Sequence, residues 1–396
     1  VKIIIMTTKI FFILVSPFIF SCKEPGLNNT QINSSLKAVS DTFDNQSSAA
    51  YDSTDGLITP VGKMQTARAA HTATVLKNGK VLIVGGFAGN TLSSAEIYDP
   101  VLKKFVSVGQ MSVARAGHSA TLLPNGKVLI AGGYNGNYLS STEIYDPQTQ
   151  TFSAGPEMNT ARSGHTATVL NNGRILLTGG VGVGWSFLQS AELYNTQTNT
   201  FSATGSMTTA RESHTANLLK NGTVLITGGH KDRRANITIY SSAELYNPAS
   251  EKFILIGNMM IKRHKHDAVT LADGSVLINV GSDERDSRGT YSSAELYDPV
   301  SSSFKPVGNM NLSRYKHNGT SILLPNGNVL IAGGANKAEI YKNTSGKFDV
   351  VKGSMGTEQL FSCATLLSNG DVLITGGYNE NQETSANAWI YSYNKK

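Results

Sequence analysis

A pair of glycines recurs through this chain and restricts what it can become. Gly85-Gly86 returns at Gly132-Gly133, Gly179-Gly180, Gly228-Gly229, Gly333-Gly334 and Gly376-Gly377, with Val280-Gly281 as a degenerate copy. The second glycines lie 47, 47, 49, 52, 53 and 43 residues apart, so one unit is repeated seven times. Self-similarity at such a period means stacked supersecondary units, each too small to bury its own apolar face.

Each unit reads as four strands. In the first, residues 71–76 run into Asn78-Gly79, whose demand for positive φ is the strongest short hairpin signal. Residues 81–84 are continuously apolar, as a strand covered on both faces should be. Residues 95–98 end at Asp99-Pro100, and 105–108 complete the unit. Packed radially, such sheets cover one another, which predicts an all-β, seven-bladed β-propeller of four-stranded antiparallel blades over 56–396. The seventh unit has three strands (364–367, 372–374 and 389–391) and no fourth. Residues 58–64 match 304–310 of the fifth unit, so the N-terminal segment is expected to close the ring as the outer strand of blade seven. Pro60 is tolerated at such an edge.

Ahead of the repeats, Lys2 and Lys9 flank the apolar run 10–20, which has the length of a signal-peptide core and is short for a bilayer span. It ends Ile19-Phe20-Ser21-Cys22, which resembles a bacterial lipobox. Residues 1–21 are therefore expected to be a lipoprotein signal peptide, with Cys22 acylated. Residues 22–55 are rich in Ser and Asn without apolar periodicity, as in a flexible tether. Lys23 stands where an inner-membrane retention Asp would, so the expected location is the bacterial envelope, at the outer rather than the inner membrane. Losing Lys2 and Lys9 takes the formal charge from +6 to +4, too mild for a nucleic-acid partner. Cys363 is left without an intramolecular disulfide partner.

The pattern Arg-x-x-His, an apolar run ending in Gly-Gly, then Glu-Ile-Tyr-Asp-Pro resembles the kelch repeat, over roughly 57–394. Residues 72–86 also resemble the propeller of galactose oxidase. The usual Trp of the fourth strand is Phe here: Phe105, Phe152, Phe201, Phe253, Phe304 and Phe348. The copper chemistry of that oxidase needs Tyr and His ligands and a Cys–Tyr cross-link. No Tyr-His dipeptide occurs, and Cys363 fills a position held elsewhere by Thr72, Ser119, Thr166 and Thr215. Bacterial kelch sialic-acid mutarotases are a second enzymatic relative, but nothing singles out their site.

Three polar residues recur together: Arg68/His71/Glu96, Arg115/His118/Glu143, Arg162/His165/Glu192, Arg211/His214/Glu244, Arg263/His266/Glu295 and Arg314/His317/Glu339. In the seventh unit they become Gln359, Ser362 and Trp389. A Glu inside an apolar strand needs a partner. Joint loss is expected of buried charges, since leaving one unpaired costs several kcal/mol. The expectation is a structural Arg–Glu–His hydrogen-bonded cluster. One imidazole per blade leaves neighbours too far apart for metal bonds of about 2 Å. Met64, Met111, Met158, Met207, Met259, Met310 and Met355 share one position and read as packing plugs.

Enzyme motifs are missing: no Walker A loop, no His-Glu-x-x-His, no Gly-x-Ser-x-Gly, and no calcium-loop spacing at 283–286. No catalytic residue, metal or cofactor is expected. First-to-second-strand turns are uniform, whereas second-to-third segments range from 335–337 to 230–242. Strand alternation puts the variable segments and the fourth-to-first linkers on one face, where function is expected. That face offers aromatic Phe87, Tyr134, Tyr138, Trp185, Phe187 and Tyr378, with His230 beside them. It also offers a basic set: Lys231, Arg233, Arg234, Lys262, His264, Lys265, Arg285, Arg288 and Lys316. The rings suit a sugar or a protein anchor, and the cations an anionic glycan or an acidic protein. The resulting expectation is a monomeric, non-catalytic, envelope-tethered module that binds a protein or glycan ligand. The alternative is a carbohydrate-active enzyme related to the oxidase or the mutarotase. Unique polar residues converging on the channel mouth would favour the enzyme, and near-identical copies in every blade the binder.

Overall fold

The computed structural model describes residues 56–393, apart from the side chain of Arg234. The signal peptide, Cys22 and the whole of the tether lie outside the described residues. Among those described, seven four-stranded antiparallel sheets follow one another, giving the seven-bladed propeller. In blade one, strand A is Thr72–Val75, B is Val81–Val84, C is Ala95–Asp99 and D is Lys104–Ser107, paired in that order. Blades two to six repeat this at 119–154, 166–203, 215–258, 267–306 and 321–350. Blade seven takes A (Cys363–Leu366), B (Val372–Thr375) and C (Asn387–Ser392) from one end of the chain and D (Leu57–Lys63) from the other. Ile58 pairs with Tyr391 and Pro60 with Trp389, and a bulge follows Pro60. Pro60 sits on the outer edge, where its missing N–H breaks no ladder.

Burial follows the radial order. The B strands are buried along their length. A strands of adjacent blades touch around the ring and so line the axis. D strands are mostly exposed, but each Phe there leans on a strand C Tyr. Tyr98–Phe105 centroids are 4.8 Å apart, and the pair recurs in blades two to six. The methionines are buried between blades: Met64 packs with Val81 of blade one and Leu373 of blade seven.

The glycine doublet is where blades meet backbone to backbone. Gly85 and Gly86 have φ of 61° and 98°. A Cβ on either would lie 2.6 Å from a carbonyl oxygen, that of Arg115 or Ala69. That closeness lets Gly86 N–H donate to Arg115 O of the next blade at 2.9 Å, and Gly377 N–H to Arg68 O closes the circle at 2.9 Å.

The variable segments are not plain loops, as the sequence had suggested. Three fold into two-stranded ribbons: Phe87–Ala88 with Asn90–Thr91, Val181–Gly182 with Ser186–Phe187, and His230–Lys231 with Thr238–Ile239. The residue after Gly-Gly then also bridges the residue after the repeated Arg, as in Ala69–Phe87 and Glu212–His230.

Candidate functional site

Each linker from D into the next A carries Arg-x-x-His, and its outer two residues belong to the scaffold. Arg115 Nη1 donates to Gly132 O at 2.7 Å and Ser141 O at 2.9 Å, and Nη2 to Glu143 Oε1 at 3.1 Å. The carboxylate accepts N–H groups of Ser112 and Val113 at 2.8 and 3.1 Å. One ion pair thus staples linker, glycine turn and strand C within a blade. It recurs for Arg68–Glu96, Arg162–Glu192, Arg211–Glu244, Arg263–Glu295 and Arg314–Glu339, all buried.

The imidazole stands apart from this pair, which corrects the expected three-membered cluster. His118 Nε2 meets Thr72 Oγ1 of the preceding blade at 3.0 Å, and His71 meets Thr375 at 2.9 Å. His165, His214 and His266 likewise reach Ser119, Thr178 and Thr227. His317 bonds its own Thr320. The reason is direction: the linker turns sharply after Arg, so His faces the neighbouring blade. Burial, aided by the nearby guanidiniums, pushes His118, His214 and His317 down to about 3, so they are neutral at pH 7. In blade seven Gln359 Nε2 donates to Thr357 O instead, and Trp389 fills core.

The inner two residues build the mouth. The second of them has positive φ in every blade: Ala70, Gly117, Gly164, Ser213, Lys265, Lys316 and Phe361. Its N–H reaches the carbonyl of its counterpart one blade back. Gly117 to Ala70, Gly164 to Gly117, Lys265 to Ser213, Lys316 to Lys265, Phe361 to Lys316 and Ala70 to Phe361 span 2.7–3.3 Å. These bonds run around the axis, so the seven residues encircle the channel on the variable-segment face.

Their identities split the ring. Blades one to three present Ala69-Ala70, Ala116-Gly117 and Ser163-Gly164; blades four to seven present Glu212-Ser213, His264-Lys265, Tyr315-Lys316 and Leu360-Phe361. Lys265 Nζ is 2.6 Å from Asp286 Oδ1, and Lys316 Nζ is 4.0 Å from Asp286 Oδ2. Lys316 also donates to Tyr378 OH at 3.0 Å and lies over the rings of Tyr315, Tyr378 and Phe361 at 4.9, 5.6 and 5.8 Å. Glu212 Oε2 accepts from Arg233 Nη2 at 2.9 Å and stands 3.6 Å from His230 Nε2. His230 Nδ1 and His264 Nδ1 are 3.1 Å apart, so one donates to the other. Arg233 stacks over Trp185 at 4.8 Å. A Cβ on Gly164 would lie 2.8 Å from Glu212 Oε1, so the bare glycine admits that carboxylate.

Burial sets the charges. It lowers Lys265 to about 8 against the pull of Asp286, and it also lowers Lys316. It raises Glu212 and holds His230 and His264 well below the usual imidazole range. Two ammoniums therefore face one carboxylate in a poorly hydrated place. At an effective dielectric constant near 20, unit charges 4 Å apart interact by about 4 kcal/mol, so the imbalance is consequential.

The expected binding residues are drawn in unequally. Tyr134, His230 and Tyr378 are buried rather than loop surface, and Phe87, Tyr138 and Phe187 are half-buried. Trp185 is 42% exposed and continues an edge-to-face chain from Tyr134 through Tyr138 to Arg233. Phe87 bridges Ala69 of its own blade. The expected open basic patch is corrected. Lys262 pairs with Glu284, Arg285 with Asp283, Arg233 with Glu212, and Lys265 and Lys316 with Asp286. Lys231 and Arg288 are exposed, and the side chain of Arg234 lies outside the described residues. Sequence reasoning missed Glu212, Asp286 and Tyr315. For the two linker residues the signal was present: the inner pair of Arg-x-x-His changes from small to large at Glu212. Asp286 carries no repeat signature.

Three blades match the Kelch motif, at 68–112, 114–159 and 161–208. Comparison with curated proteins found no match. Among solved structures the fold is widespread. One similar chain is described as a novel fungal alcohol oxidase with catalytic diversity among the AA5 family, in complex with copper. It is 15% identical with a TM-score of 0.67, covering 86% of this chain and 76% of the other. Such a likeness shows a galactose-oxidase-like propeller fold and no more. Among the described residues, no three His, Cys, Asp or Glu side chains gather as a ligand set. Cys363 is half-buried, its thiol raised by desolvation to about 12 and donating to His71 O.

Proposed function

We propose that this propeller is a non-catalytic binding module of the bacterial envelope, tethered through acylated Cys22, which receives a glycan or protein ligand at the polar mouth. One observation carries the reading. The backbone of the inner pair of Arg-x-x-His serves the ring but its side chains share no scaffold bond, and each pair in blades four to seven includes a charged or aromatic residue where Ala and Gly satisfy the fold in blades one and two. Burying ionic groups carries a desolvation cost that pairing offsets only in part, so stability does not account for their presence. Aromatic rings beside paired charges are the ordinary make-up of a site for polyhydroxylated or mixed-polarity ligands. Strand D of blade seven runs from the turn face toward the mouth face, so residue 56 enters opposite the mouth.

The test is a glycan and surface-protein binding screen on wild type and on Glu212→Gln with the 231–239 ribbon shortened. Binding to a glycan or protein that the altered protein loses is the expected outcome. Binding unaffected by either change would send the site elsewhere. Fatty-acid labelling that persists in Cys22→Ala would refute the anchor. The same convergence of unique polar groups favours a second reading, an enzyme acting on carbohydrate. Turnover of a bound sugar that Glu212→Gln abolishes would replace the first reading with it.

A further inference from the structure

The mouth is short of one negative charge. Lys265 and Lys316 both direct their ammoniums at Asp286, which offers a single carboxylate. Their side chains are only 17% and 9% exposed, so water compensates them poorly. The other groups facing Lys265 do not make up the difference. Glu212 is matched by Arg233, His230 and His264 are neutral, and Tyr315 and Tyr378 are held un-ionised by burial. Lys316 has its place fixed by three rings and the Tyr378 hydroxyl. Lys265 has no such cage and is the more exposed of the two. Asp286 itself comes from the blade-five variable segment, at positive φ and half-exposed, so it is a local occupant that a ligand can displace or join.

We infer that the mouth takes a carboxylate-bearing sugar, its carboxylate seated between Lys265 and Lys316 and its ring against the Tyr315, Phe361 and Tyr378 wall. This rests on the proposed binding function and names its ligand class. One missing charge suits a carboxylate better than a phosphate dianion, which would leave an excess beside Asp286. Seating the anion favours protonated Lys265, so binding takes up a proton as pH passes through the range in which free Lys265 releases one. Affinity is then full at neutral pH and falls as pH rises from 7 to 9.

The experiment is titration calorimetry of the full chain with glucuronate, glucose and inorganic phosphate, in two buffers of different ionisation enthalpy. Glucuronate is expected to bind about tenfold or more tightly than glucose, and more tightly than phosphate. Proton uptake should appear near pH 8. Lys265→Met should weaken glucuronate about tenfold, Asp286→Asn should strengthen it, and Lys104→Ala, on the exposed outer strand of blade one, should change nothing. Lys265 is partly exposed, so its variant is expected to fold, which melting curves will check. Equal affinity for glucose and glucuronate, unmoved by Lys265→Met, overturns this inference and leaves the binding function standing. Tightest binding of phosphate, or no glucuronate heat at about 10 mM, overturns it too. The binding function itself falls only if the glycan and protein screen is also silent.

Discussion

The same four-residue linker is two things at once. Its outer residues, Arg and His, recur in six blades, buried except for the half-buried His165. Arg ties a blade to itself through Glu each time, and His reaches toward the blade before it in five of the six, His317 bonding its own Thr320 instead. Its inner residues differ from blade to blade and ring the channel. Blades one to three, with only Ala, Gly and Ser there, and blades four to seven, with Glu-Ser, His-Lys, Tyr-Lys and Leu-Phe, fold alike. Folding therefore does not demand the large polar residues, and their presence needs another cause. That separation within one tetrapeptide locates function on a repeat protein without any motif.

The largest expected effect is on the outer residues. Glu143→Gln leaves the Arg115 guanidinium buried without its counter-charge and two linker N–H groups with a poorer acceptor. Breaking a buried pair on one side costs about 3–5 kcal/mol. Thermal or urea unfolding should register that loss. A change below about 1 kcal/mol would mean water reaches the pair and would end its role as a staple.

Repetition made this scaffold legible. The glycine doublet marks the turn because a Cβ there would collide with a neighbour's carbonyl, and Arg, Glu and His were visible because they recur. The closing strand could be read from residues 58–64 echoing 304–310. What repetition cannot encode stayed hidden. His118 was grouped with Arg115 and Glu143 because all three vary together, yet its partner Thr72 lies one blade back. Asp286 meets Lys265 and Lys316 only through the ring, and its variable segment has no counterpart elsewhere to align with. The cations were read one by one as a patch because their carboxylate partners were not repeat positions.

A middle-sized effect should appear on acidification. Burial holds the pKa of His118, His214 and His317 down at about 3 in the folded state, against an ordinary 6.5 when unfolded. A lowered folded value means the unfolded chain binds more protons. Their contribution is complete above pH 6.5 and is lost progressively as pH falls from 6.5 toward 3. Each such imidazole adds up to about 1.4 kcal/mol per pH unit within that window. Melting temperature should therefore drop steeply below pH 6, and His118→Gln should remove about one proton from the slope. A flat profile between pH 6.5 and 4 would show that the imidazoles are hydrated rather than sealed between blades.

The smallest expected effect on stability is at the mouth, and it sharpens the comparison most. The desolvation of Lys265 offsets its attraction to Asp286, so their ion pair contributes little net stability, about 1 kcal/mol or less. Lys265→Met should melt close to wild type, far from the loss in Glu143→Gln. Lys265 also adopts a left-handed backbone that Gly117 and Gly164 adopt at no steric cost, so Lys265→Gly should be tolerated or slightly stabilising. Both outcomes would be expected of a residue kept for what it meets rather than for what it holds together. If Lys265→Gly instead unfolds the ring as Glu143→Gln does, inner and outer residues serve the same purpose. The argument for placing function at the mouth would then fail.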